Sequence, residues 1–237
     1  MARKGKENKN DKVLTLKRRL LAHNSPKDPA AEQYRTIRTN IQFSGADQEI
    51  KSLVLTSSGT AEGKSTTASN LAAVYAQQGL KVLLIDADLR KPTAHYTFRL
   101  ENHNGLTNVL TRQSTLGQAV QETQVCNLYV LTSGPIPPNP SELLASHQME
   151  EIIKEMNHQF DMVIFDTPPI LAVADAQILA NQVAASILVV SSGKTDKEAA
   201  LKAKELLLNA KSKLLGAVLN NRKTDSSSYY YYYYGGN

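Results

Sequence analysis

Leu53-Val54-Leu55-Thr56-Ser57-Ser58-Gly59-Thr60-Ala61-Glu62-Gly63-Lys64-Ser65-Thr66 is the stretch that decides the fold of this chain. Residues 53–56 read as a buried strand, the next residues as a loop of small side chains, and 64–78 as a helix. Small residues let successive backbone N–H groups wrap an anion, and the following helix turns its positive end toward the same point. In such a loop Lys64 can reach the β- and γ-phosphates of a nucleotide, and the Ser65 hydroxyl can ligate Mg²⁺. Gly59, Thr60, Ala61, Glu62, Gly63, Lys64, Ser65 and Thr66 are therefore the expected nucleotide-binding residues, with Mg²⁺–ATP as ligand. The strict pattern starts on glycine; Ser58 stands there instead, and another small residue is expected to do little harm. A Gly/Ser turn with an incidental lysine is the competing reading, and the flanking strand and helix argue against it.

Working outward, apolar runs recur at 82–85, 128–131, 162–165, 185–190 and 217–219. Helical patterns lie at 141–158, 174–182 and 195–211. Unbroken Val/Ile/Leu runs imply strands buried on both faces, as in a parallel sheet. The alternation of β and α predicts a doubly wound, mostly parallel α/β fold. Carboxylates follow two of the strands: Asp86 and Asp88 after 82–85, and Asp166 after 162–165. Ligands bind at that edge of open α/β sheets. One Asp after a strand is commonplace; three beside a phosphate loop form a set. Lys64, Asp86, Asp88 and Asp166 are the candidate catalytic residues, and Ser65, Asp86 and Asp166 the candidate Mg²⁺ ligands. Phosphoryl transfer asks for little else: a metal ion, a cradle, and a carboxylate to orient or deprotonate the acceptor hydroxyl.

The 237 residues, 41% of them apolar, suit one domain of this kind. The net charge of +5 is uneven. Residues 1–22 hold eight Lys/Arg against Glu7 and Asp11, a local +6 that leaves the rest at about −1. We therefore divide the chain into a basic arm (1–12), a domain (13–223) with a first helix at about 30–43, and a tail (224–237). The arm is either a solvated terminus or a contact for anionic lipid, nucleic acid or an acidic partner. A short helical pattern at 14–21 ends at Asn24-Ser25-Pro26. The single cysteine, Cys126, excludes an intramolecular disulfide and is expected as a buried thiol. No secretory h-region or run of 18 apolar residues is present, so a soluble protein with peripheral membrane contact at most is expected.

The tail holds six of the chain's ten tyrosines, Tyr229, Tyr230, Tyr231, Tyr232, Tyr233 and Tyr234, between serines and glycines. With the loop 59–66, these residues resemble the bacterial tyrosine kinases of capsular and exopolysaccharide systems, in the form whose cytoplasmic domain is a separate polypeptide. Asp86-Ala87-Asp88-Leu89-Arg90-Lys91-Pro92 is similar to that family's second nucleotide motif, and Gly134-Pro135-Ile136-Pro137-Pro138-Asn139-Pro140-Ser141-Glu142-Leu143-Leu144 to its Pro-rich segment. Residues 160–169 with Asp175-Ala176 resemble its metal-organising region. Partition and division-site ATPases share the fold but carry a further lysine five residues before the loop lysine. Here that position is Gly59, which argues against a switch ATPase.

The resemblance implies roles. Lys64 would hold phosphate, and Ser65 and Asp166 would organise Mg²⁺. Asp86 would serve Mg²⁺ or activate the tyrosine hydroxyl with Asp88 in support, the two roles undivided. Asn220 and Arg222 would lie by the base. Glu32, Arg35 and Arg38 fit an E-x₂-R-x₂-R assembly motif on one helix face, which would build a ring of subunits; on spacing alone they read as a solvent-facing, salt-bridged helix. The tail tyrosines would be phosphoacceptors. From Lys223 to mid-cluster is about eight residues, about 25 Å extended, which favours transfer to a neighbouring subunit. The resemblance also implies a transmembrane activator with a cytoplasmic tail, protein substrates with tyrosine, a counteracting tyrosine phosphatase, and a cytoplasmic location at the inner face of the membrane. A scaffold that uses ATP only to assemble is the remaining alternative.

Overall fold

The computed structural model describes residues 20–45 and 49–222. The basic arm and all six tail tyrosines lie outside the described residues. Seven strands form one sheet: β1 (Ser52–Ser57), β2 (Val82–Asp86), β3 (Val120–Glu122), β4 (Leu128–Leu131), β5 (Met162–Asp166), β6 (Ala185–Ser191) and β7 (Lys213–Asn220). Their order is β3-β4-β2-β5-β1-β6-β7, and every pairing is parallel except β3 with β4. The six expected strands are present. β3 was not expected, because three residues, two of them polar and none buried, carry no apolar run.

The helices are α1 (Leu21–Asn24), α2 (Pro29–Ser44), α3 (Lys64–Ala76), α4 (Ala94–Phe98), α5 (Leu106–Leu110), α6 (Leu116–Ala119), α7 (Pro140–Leu144), α8 (His147–Gln159), α9 (Asp175–Ala180) and α10 (Lys197–Leu208). α7 and α8 divide the helix expected at 141–158. Ser146 interrupts it, and its side chain accepts a hydrogen bond from the Met149 amide as the cap of α8. Serine favours such caps over helix interiors. Among the described residues no helix is long and apolar enough to cross a membrane.

Strand alternation splits the apolar side chains between two cores. Leu53, Leu55, Leu84, Ile164 and Ile187 face one core with α3; Val54, Leu83, Ile85, Val163 and Phe165 face the other with α8. This is why the runs read as continuously apolar. α3 is the central helix, buried from Thr67 to Ala76. Asn70 Oδ1 accepts from the Ala22 amide at 3.0 Å, and Gln77 Nε2 donates to the Ala22 carbonyl at 2.9 Å, seating α1 on α3. α2 starts cleanly: the Asp28 side chain accepts from the Ala30 amide, and Pro29 takes a position where its missing N–H costs nothing.

Cys126 is a correction: it is exposed. Val125 takes the buried place, and Cys126 with Asn127, at φ 63°, turns the chain into β4. Further along the same edge, α5 docks on the end of β4. The Leu106 amide donates to the Thr132 carbonyl at 2.8 Å and the Thr107 amide to the Ser133 carbonyl at 2.9 Å. Gly105 lies so close that a Cβ there would sit 2.3 Å from both Thr132 O and Gly134 N, backbone atoms that cannot step aside. Gly105→Ala is therefore expected to lower stability by about 1–3 kcal/mol, a Tm fall of roughly 2–10 °C by calorimetry. Gly117→Ala, in α6 with nothing within 4 Å of its Cβ, should hold or raise Tm.

Candidate nucleotide and phosphoryl-transfer site

The register of β2 and β5 sets Asp86 opposite Asp166, and the Ala87 amide donates to the Asp166 carbonyl at 2.9 Å. Lys64 opens α3 beside them. Its Nζ lies 3.2 Å from Asp166 Oδ1, 3.3 Å from Asp88 Oδ2 and 3.3 Å from Ser65 Oγ. The paired aspartates diverge. Asp88 faces Lys64, and its other oxygen accepts from the Lys91 amide at 3.0 Å. Asp86 is wholly buried; its Oδ2 accepts from the Thr93 and Ala94 amides at 2.7 and 2.8 Å. Asp86 Oδ1 is buried with no hydrogen-bond partner among the described residues.

The electrostatics follow from burial. Desolvation pushes the Asp86 carboxyl up to about 7, and neighbouring Asp166 adds to it; the Ala94 and Thr93 amides and the Lys64 ammonium hold it back. Asp166 is raised by burial too, against the pull of Lys64 and the Ser65 hydroxyl. Burial opposes the charge on Lys64, but Asp166, Asp88 and Asp86 together outweigh it and raise its pKa. The donor set suits Mg²⁺. An unpartnered carboxylate oxygen on Asp86, the Asp166 carboxylate and the Ser65 hydroxyl stand ready. Among the described residues no three His, Cys, Asp or Glu side chains converge as a self-sufficient metal cage, and Mg²⁺ takes one or two carboxylates together with waters and phosphate oxygens.

The loop itself is shaped by side chains the motif does not specify. Ser58 Oγ lies 3.0 and 3.1 Å from the two carboxylate oxygens of buried Glu62, so the residue at the first glycine position anchors the loop rather than merely fitting it. Gly63 has φ +95°, and a Cβ there would fall 1.8 Å from Asn220 Nδ2. Asn220, expected by the base, donates this amide to the Glu62 carbonyl at 3.0 Å. Arg222 is exposed two residues on. Thr60 and Ala61 line the outer turn, and Thr66 sits in the first turn of α3.

Three motif segments meet away from Lys64. Arg90 Nε and Nη2 donate to Asp175 at 2.9 and 3.2 Å, Arg90 Nη2 donates to Ser141 Oγ at 2.9 Å, and Ser141 Oγ donates to Asp175 Oδ1 at 2.5 Å. The sequence flagged each segment but not their junction, because contacts across 34 and 85 residues leave no local pattern. In α2 the three residues of the expected assembly motif part company. Glu32 pairs with Arg35 on the exposed face, and Arg35 also donates to the Pro26 carbonyl at 3.2 Å. Arg38 turns inward and donates to the Val74 carbonyl near the end of α3 at 2.7 Å.

A family model described as an AAA domain matches residues 51–214. The chain is 61% identical to tyrosine-protein kinase YwqD of Bacillus subtilis (strain 168), over 88% of each. Its fold superposes on the chimerical protein CapA2B2 with a TM-score of 0.84, 43% identity and coverage of 86% of this chain and 90% of that one. The kinase domain of Escherichia coli tyrosine kinase ETK gives 0.81, with 36% identity over 87% of this chain and 83% of that one. A fold likeness extends to the septum site-determining protein MinD of Pyrococcus horikoshii, solved with Mg-ADP (TM-score 0.63, 23% identity, 76% of each chain). The chain belongs to the bacterial tyrosine-protein kinases and has their P-loop fold, which it shares with the division-site ATPases.

The raised Asp86 carboxyl has a measurable consequence. Between about pH 4, where an unfolded aspartate titrates, and about pH 7, the folded chain binds a proton that the unfolded chain does not. This contribution to stability is complete below the unfolded value and is lost as pH rises through about 7. In EDTA without nucleotide, Tm is expected to fall between about pH 5 and about pH 8. Asp86→Asn should flatten that fall and raise Tm at the alkaline end, as read by scanning calorimetry; an unchanged slope would assign the titration to another group.

Proposed function

We propose that this tyrosine kinase transfers the γ-phosphoryl group of Mg²⁺–ATP to tyrosines of its own C-terminal cluster in a neighbouring subunit and to tyrosines of partner proteins, and thereby regulates capsular or exopolysaccharide synthesis. One observation carries the reading: Lys64 sits at the mouth of a phosphate loop between Asp88 and Asp166, with the unpartnered oxygen of Asp86 close by. Lys64 and the loop amides hold the phosphates. Ser65 and Asp166, with Asp86 beside them, would hold Mg²⁺, which when bound neutralises charge on the phosphate oxygens. The tyrosine oxygen bonds to the γ-phosphorus as the bond to the β–γ bridging oxygen breaks and ADP leaves. The hydroxyl proton passes to a carboxylate.

Around this core the reading adds a ring contact through Glu32 and Arg35, a transmembrane activator whose cytoplasmic tail recruits the kinase to the inner membrane face, and a tyrosine phosphatase that resets it. The likeness to a chimerical protein supports a partner polypeptide. Each phosphotyrosine brings about −1.5 to −2 charges, so a phosphorylated cluster repels itself and its acidic neighbours.

The test incubates the full chain with Mg²⁺–ATP and probes for phosphotyrosine. Lys64→Met should cut the signal by about 100-fold or more. Mixing full-length Lys64→Met, as acceptor, with a chain lacking residues 224–237, as donor, should label the acceptor; absence of label there would rule out transfer between subunits. ATP consumption without phosphotyrosine would overturn the kinase assignment. Sedimentation of the phosphorylated chain should show a lower mass than the unphosphorylated one.

A further inference from the structure

The turn that leaves β6 is rigid. The Ser191 amide donates to Thr195 Oγ1 at 2.7 Å, and the Ser191 carbonyl accepts from the Lys194 and Thr195 amides at 3.1 and 2.9 Å. Gly193, at φ +70°, closes the turn. The end of β7 is tied to it: the Ser192 amide donates to the Asn220 carbonyl at 2.8 Å, and Asn221 Nδ2 to Ser191 Oγ at 2.9 Å. From this platform Lys194 Nζ reaches the Thr60 carbonyl at 2.7 Å and the Ala61 carbonyl at 2.9 Å. Asn220 Nδ2 takes the Glu62 carbonyl at 3.0 Å. Three consecutive carbonyls of the phosphate loop are thus held from one side.

The consequence is geometric. In a planar trans peptide the C=O and the following N–H point in opposite directions, and the described residues contain no cis peptide. Fixing the carbonyls of Thr60, Ala61 and Glu62 toward the platform turns the amides of Ala61, Glu62 and Gly63 away from it. Ala61 at φ 56° and Gly63 at φ 95° give the alternating backbone that makes such amides converge as an anion nest. None of the three amides donates a hydrogen bond among the described residues. Gly59 leaves the loop only one ammonium of its own, Lys64; Lys194 brings a second from the turn after β6.

We propose that Lys194 is a positioning residue for nucleotide binding: it presets the loop so that these amides face the phosphates before a nucleotide arrives. The proposal rests on reading 58–66 as the nucleotide loop. Presetting lowers the ordering cost of binding, and Lys194→Met removes two charge-assisted hydrogen bonds.

The experiment titrates the full chain with Mg-ADP by calorimetry and measures peptide-level hydrogen exchange without nucleotide. Lys194→Met should bind Mg-ADP about tenfold more weakly and exchange the 60–63 amides faster, with little change in Tm because the side chain is exposed. Its loss should appear in KM for ATP rather than in kcat. Lys194→Arg, whose guanidinium also offers several donors, should restore affinity to within about threefold of the parent. Unchanged Mg-ADP affinity in Lys194→Met, or an arginine variant as weak as the methionine one, would overturn the proposal. The readout stands apart from the kinase assignment: a chain that binds Mg-ADP with this dependence on Lys194 but consumes ATP without making phosphotyrosine would keep the positioning role and lose the kinase reading.

Discussion

One ammonium among buried carboxylates governs the rest of this structure. A charge taken out of water must be paired or neutralised. Lys64 meets this by pairing with Asp88 and Asp166, and Asp86 meets it by a proton affinity raised to about 7. One ammonium offsets only one of those two carboxylates, and does so only while Lys64 stays with them. A triphosphate in the loop competes for the same ammonium, and whatever charge it draws from Asp88 and Asp166 must be replaced by another cation. Metal and nucleotide, bound there together, would be coupled by charge balance before any detail of mechanism is considered.

Sheet register gives that arrangement its accuracy. Asp86 and Asp166 each end a strand, and pairing of β2 with β5 sets them side by side. Because side chains alternate across a strand, a one-residue slip would send one carboxylate to the opposite core. The slip is resisted along the whole strand, since Leu83, Ile85, Val163 and Phe165 would leave their core at the same time. The apolar residues that carry no chemistry thus hold the carboxylates within reach of Lys64.

Most of this frame was legible in the sequence, for physical reasons. Strands buried on both faces must be continuously apolar, so 82–85 and 162–165 announced themselves, and the aspartates that ended them were conspicuous. What was missed depends on contacts remote in sequence or on single caps. Ser146 breaks a helix through one hydrogen bond to the Met149 amide. β3 is too short and polar to show a pattern. Cys126 is exposed because its neighbour Val125 took the buried place. Spacing put Glu32, Arg35 and Arg38 on one face, yet it could not show that Arg38 would reach Val74, 36 residues away. Ser58, a tolerated substitute by motif, bonds Glu62 through its hydroxyl, and Asn220, expected by the base, donates its amide to the Glu62 carbonyl; neither contact leaves a local pattern.

The inward turn of Arg38 bears on how assembly and chemistry meet. α3 carries Lys64 at its first residue, and near its other end the Val74 carbonyl, left free as a helix terminates, accepts from Arg38. A helix of 13 residues spans about 20 Å and, buried over most of its length, moves as one rod. α2 therefore grips the same rigid element that positions the phosphate-binding lysine. Glu32 and Arg35 pair on the outer side of α2, while the guanidinium of half-buried Arg38, three residues on, turns to the Val74 carbonyl. Tyr34 and Ile41 share a core with Leu71 and Tyr75, so apolar packing as well as the Arg38 hydrogen bond joins α2 to the helix that begins at Lys64.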